Sequence, residues 1–143
     1  MSDAKPKNGI KASIVAVGAG FLATALLSVA TDAVLHATGV FPPMPQVMSD
    51  PLFALATAYR IVYTIVGGYI TARLAPERPM RHVLILGAIG TAAATLGCVA
   101  TWNHVPSLGP HWYPVALVVT ALPSVWAGGV WAGGRLRALQ TAN

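Results

Sequence analysis

Asp32 and Arg60 are ionisable residues of opposite sign set in stretches that are otherwise almost entirely apolar. His36 follows Asp32 at i+4, which on a helix puts imidazole and carboxylate one turn apart on nearly the same face. Tyr59 and Tyr63 flank Arg60 and can donate hydrogen bonds to a carboxylate or line an opening. Three kinds of chemistry fit this set. A carboxylate–guanidinium pair can lock two helices in register. A carboxylate open to an outer cavity can take up a proton or cation for transport. Asp32 and His36 can also work as an acid–base pair, although no nucleophile or metal set accompanies them.

Metal and haem chemistry have weaker support. His36, His104 and His111, with Asp50, Met44 and Met48 nearby, are the candidates for zinc or copper. Their spacing is not that of a tight ligand set, and only His36 is placed to face a haem from within a helix. We expect no metal and no cofactor. The single cysteine, Cys98, allows no intrachain disulfide and no cysteine-based metal motif.

The elements that hold these residues follow from composition. Of 143 residues, 55% are hydrophobic and 9% charged, against about 25% charged in soluble domains. The apolar content falls in four segments, residues 12–31, 52–75, 83–101 and 113–134. A helix of about 20 apolar residues crosses a bilayer core. The expected fold is therefore an all-α polytopic membrane protein, one transmembrane domain over residues 1–143. Its helices should span about 11–37, 51–75, 80–101 and 112–135. The first apolar run exceeds the 7–15 residues usual in a signal peptide, so helix 1 is expected to be retained.

Charge sets the orientation. Lys5, Lys7 and Lys11 precede helix 1, Arg73, Arg78 and Arg81 lie around the helix 2–3 connection, and Arg135 and Arg137 end helix 4. The other two connections carry no Lys or Arg. By the positive-inside rule both termini are cytoplasmic, and the short connections imply an up-down-up-down bundle. This placement accounts for the net charge of +5 without nucleic acid, for which no binding motif is present. Arg73, Glu77, Arg78, Arg81 and His82 are expected to enforce topology and touch anionic headgroups.

Local signals agree with these boundaries. Gly39 can end helix 1, Pro42, Pro43 and Pro45 forbid its continuation, Asp50 can cap helix 2, and Pro79 can open helix 3. Trp102, Trp112 and Tyr113 suit an outer interface. Small and polar stripes mark the packing faces: Gly20, Thr24, Ser28, Thr31 and Asp32 on helix 1, and Thr57, Arg60, Thr64, Gly67 and Thr71 on helix 2. Helix 3 offers Gly87, Gly90, Thr91, Ala94, Cys98 and Thr101. On helix 4 the small-xxx-small pair Gly129 and Gly133 lies roughly opposite Thr120 and Ser124, so that one face can pack within the bundle and the other against a second subunit, making a homo-oligomer through helix 4. Pro123 removes a hydrogen bond mid-helix, with a kink or hinge as the consequence.

TDAVLHATGVFPP, AYRIVYTIVGGYITARLAP and GPHWYPVALVVTALP together resemble a group of small uncharacterised bacterial four-helix membrane proteins, over nearly the whole span from helix 1 to helix 4. The resemblance implies a bacterial inner membrane and this layout. It brings no activity, so no residue role transfers. Small multidrug exporters carry a glutamate in the middle of helix 1, which is absent here, and the asparagine- and phenylalanine-based pore pattern of fluoride channels is also missing. The expectation is a structural or accessory integral membrane protein, not an enzyme, partnered by the lipid bilayer. The alternative is a small transporter or channel using Asp32, His36, Arg60 and Tyr63.

Overall fold

A computed structural model describes residues 7–104 and 108–141, and side chains within residues 9–104 and 108–135. Lys5 lies outside the described residues, as do the side chains of Lys7 and Arg137. Four α-helices make up the fold: α1 (Lys7–Ala37), α2 (Asp50–Leu74), α3 (Pro79–Thr101) and α4 (Trp112–Thr141). A single 3-10 turn, Trp102–His104, extends α3. No strand occurs among the described residues. All four helices are long and apolar enough to cross a membrane, and no more than 28% of any such span is buried inside the protein. The outward faces carry Ile14, Leu26, Leu96, Val119 and Trp126, all exposed.

The helix ends follow local chemistry. Gly39 adopts φ 75° after α1, the left-handed conformation that glycine takes without a Cβ penalty. Helix α2 starts one residue earlier than expected. Ser49, not Asp50, occupies its N-cap, so Asp50 becomes a first-turn acid and accepts a 3.4 Å hydrogen bond from Trp112 Nε1. Gly109 has φ 119°, and the ring of Phe53 occupies the space a Cβ would need, so both backbone and packing demand glycine there. Phe53 also stacks on Tyr113, which ties the start of α2 to the start of α4.

Around the bundle the helices run in the order α1, α2, α4, α3. The α2–α4, α3–α4 and α1–α2 interfaces are extensive, α1 meets α3 only sparsely, and among the described residues the backbones of α1 and α4 do not approach one another. Two glycine doublets explain how α2 and α4 come so close. Gly67 faces α1, where a Cβ would strike the Thr24 hydroxyl and lie 2.7 Å from the Gly20 carbonyl. Its neighbour Gly68 faces α4, where a Cβ would drive into the Val125 backbone. In α4, Gly128 lies against the Ile65 carbonyl of α2, while a Cβ on Gly129 would sit 2.9 Å from Met80 and Val83 of α3. Each doublet thus serves two interfaces at one level. The core gathers there, with Ala72, Val83, Leu86, Val125 and Ala132 buried together.

Of the pair Gly129 and Gly133, only the first packs against another helix of the chain. Gly129 is consumed inside the chain, whereas nothing lies within 4 Å of a Cβ at Gly133. Helix α4 runs through Pro123 as a continuous helix, with the proline on the exposed side and Ser124 and Val125 buried beside it. His82 also departs from expectation. It is 8% exposed, and its Nε2 lies 2.9 Å from Ser13 Oγ on α1. The Ser13 hydroxyl already donates to the Gly9 carbonyl, so it accepts from His82. A buried imidazole needs a partner, and this one cross-links α3 to α1 at the end of the bundle opposite Asp32.

Candidate functional site

The α1–α2 interface is a ladder of polar contacts, with residue numbers rising on one helix as they fall on the other. At the His82 end Thr71 Oγ1 donates to the Ala16 carbonyl at 3.1 Å, fully buried. One level on, the Thr24 hydroxyl is shared between its own Gly20 carbonyl at 3.0 Å and the Tyr63 carbonyl at 3.2 Å. Thr31 Oγ1 and the Tyr63 phenol then share a 2.8 Å hydrogen bond. The ladder ends in the charged pair.

There Arg60 Nη2 donates to Asp32 Oδ2 at 2.6 Å, and the Tyr59 phenol donates to Oδ1. Both carboxylate oxygens are therefore taken by α2. The positions follow from helix geometry. At about 1.5 Å rise per residue, Asp32 lies about 8 Å from the end of α1, and Arg60 about 15 Å from the start of α2. Arginine's length covers the difference by reaching toward the Asp32 end. The side chains of Arg60 and Asp32 are 31% and 29% exposed, so the pair is half-buried at the edge of the bundle. The guanidinium is incompletely satisfied, since Arg60 Nε is buried without a hydrogen-bond partner.

His36 does not join this pair through its side chain. Its Nδ1 donates to the backbone carbonyl of Asp32 at 2.8 Å, and its ring meets the buried Phe41 edge-on at 5.3 Å. It serves to fold the 38–49 connection back over the end of α1, and the Asp32–His36 acid–base arrangement is not formed. His111 stacks on Trp102 and donates to the Trp102 carbonyl at 3.2 Å. Among the described residues no three His, Cys, Asp or Glu side chains converge on one point, so His36, His104 and His111 are not brought together as a metal set.

A cavity of about 340 Å³ lies beside the pair, lined by residues of all four helices. Arg60 and Ser28 are at one end; Leu86 and Val125 are at the other. Asp32, His36 and Tyr63 are not part of its wall. Sequence reasoning did not find this cavity, nor Gly68 and Gly128. The doublets themselves, GG at 67–68 and 128–129, were the available signal. No protein family, curated protein or solved structure matches the chain.

Proposed function

We propose that the chain is a multi-pass integral membrane protein of a bacterial inner membrane, with a structural or accessory role and a charged lock between α1 and α2. Its helices run up-down-up-down with both termini cytoplasmic, which the positions of Lys11, Arg73, Arg78, Arg81 and Arg135 support. The observation that carries the lock is that both oxygens of Asp32 are engaged by side chains of α2. An ionised group in a membrane segment costs several kcal/mol unless it is paired. Pairing across two helices therefore makes their register an electrostatic as well as a packing choice.

The transport alternative needs Asp32 open to a cavity. The cavity beside it is walled by Arg60 and not by Asp32, which favours the lock. The test exchanges the charges. Asp32→Arg and Arg60→Asp each leave two like charges facing one another and lower the yield of folded, membrane-inserted protein. The double variant restores that yield if the pair is a lock. Two single losses with no recovery in the double variant contradict it.

A further inference from the structure

The cavity differs from a gap left by loose packing, because its two ends and its mouth have distinct chemistry. Its floor is apolar and closed, with Leu86 and Val125 each 3% exposed. From Leu117 to Val125 on α4 the wall runs about 12 Å at the α-helical rise. At the other end stand Arg60, already paired with Asp32, and Ser28, whose hydroxyl makes no hydrogen bond among the described residues. The other wall hydroxyls are engaged by backbone carbonyls, Thr64 by that of Arg60, Thr120 by that of Ala116, and Thr24 by those of Gly20 and Tyr63. The hydrogen-bonding capacity left over is thus concentrated at one end.

The mouth is set by the wall residues that are also exposed on the surface, namely Phe21 and Val29 of α1 and Ala93 of α3. It therefore lies along the α1–α3 seam. The named contacts of that seam, Ser13 with His82 and Gly20 with Leu86, are both toward the His82 end. Beyond Gly87 no residue of α3 is buried, and a Cβ at Gly90 would meet nothing within 4 Å. In a membrane-spanning chain, a side opening between two helices faces lipid tails.

We propose that this cavity holds one acyl chain of a phospholipid, admitted sideways between α1 and α3, with its ester carbonyl oxygen at the Ser28 hydroxyl beside Arg60. Asp32 already balances the arginine's charge, and the Ser28 hydroxyl is the donor left over, so a neutral ester carbonyl fits this end better than a free carboxylate. The apolar floor accepts the chain, and the volume falls within the range of about 300–1,000 Å³ usual for ligand pockets. The inference rests on the membrane-spanning reading but not on the lock.

The test uses the full chain in phosphatidylcholine vesicles containing a phosphatidylcholine with a diazirine midway along one acyl chain. After photolysis, adducts are mapped by mass spectrometry. Leu96, 72% exposed on α3, reports lipid contact at the outer surface. Leu86 and Val125 report occupation of the cavity. The expected result is labelling at Leu96 and also at Leu86 or Val125. Gly90→Leu should fill the cavity and lower the inner labelling by about tenfold, equivalent to ~1.4 kcal/mol, while Leu96 labelling persists. Ala121→Leu fills it from α4 and is used if the first variant fails to insert. Labelling at Leu96 alone overturns the inference and leaves the membrane reading standing. Absence of labelling at Leu96 overturns both. A fatty acid carrying the same diazirine that labels Leu86 when the phospholipid does not overturns the phospholipid as occupant.

Discussion

At the residue scale, Asp32 is held by two donors of different kinds, and they should not weigh equally. Both hydrogen bonds are charge-assisted, but Arg60 brings a charged donor and Tyr59 a neutral one to the carboxylate. Tyr63 reaches Thr31 instead. Tyr59→Phe should lower stability in a bilayer by about 1.5–3 kcal/mol, the range for hydrogen bonds to charged groups. Tyr63→Phe removes only a hydroxyl pair and should cost about 0.6 kcal/mol, the average for interhelical hydrogen bonds in lipid. Reversible unfolding of the two variants side by side checks the order, and a larger loss for Tyr63→Phe would be inconsistent with it. The Asp32–Arg60 pairing was legible from sequence because opposite charges on consecutive helices have few other partners at that depth. The loss of His36 to a backbone carbonyl was not legible, since i+4 spacing puts the Asp32 carbonyl and carboxylate at similar reach.

At the scale of elements, two kinds of adhesive divide the bundle. The α1–α2 interface is a row of hydrogen bonds, while α2–α4, the largest interface, relies on close backbone approach at Gly68 and Gly128. Where a methyl group would meet backbone, nothing flexible can yield, and overpacking of this sort costs about 1–3 kcal/mol. Gly68→Ala and Gly128→Ala should each destabilise by about that amount. Gly97→Ala, with nothing within 4 Å of its Cβ, should be neutral or gain up to about 1 kcal/mol from helix propensity. Thermal or denaturant melts of the three variants test the contrast. Sequence periodicity marked Gly67 and Gly129 but missed their neighbours, because a stripe on a helical wheel assigns each helix one preferred face. Helices α2 and α4 are each sandwiched between two others, and adjacent glycines about 100° apart serve both sides. His82 was hidden for a related reason. It sits among Arg78, Arg81 and Glu77, which look like a solvated connection, yet the helical turn aims it at Ser13.

At the scale of the whole molecule, the helices themselves were the most legible feature, because four uncharged or nearly uncharged runs of about twenty residues admit few alternatives. Their ends moved by a few residues, chiefly where α1 and α4 extend beyond the apolar runs. Orientation is a separate matter that charge placement predicts and labelling can check. In a Cys98→Ala background, cysteine at Gln46 should react with a membrane-impermeant maleimide on intact cells, whereas cysteine at Glu77 should react only after the membrane is broken. The reverse pattern would place the termini outside.

The account turns on Asp32 and Arg60 acting as one unit that joins α1 to α2. The most direct measurement is a double-mutant cycle on unfolding in bilayers, with Asp32→Asn, Arg60→Gln and both together. Neutral replacements avoid introducing repulsion, and Asp32→Asn also keeps the side-chain shape. A half-buried pair should show a coupling energy of about 1–3 kcal/mol, between the values for exposed and fully buried pairs, so the double variant loses markedly less than the two single losses combined. Losses that add to within about 0.5 kcal/mol, as they do for independent sites, would contradict the lock.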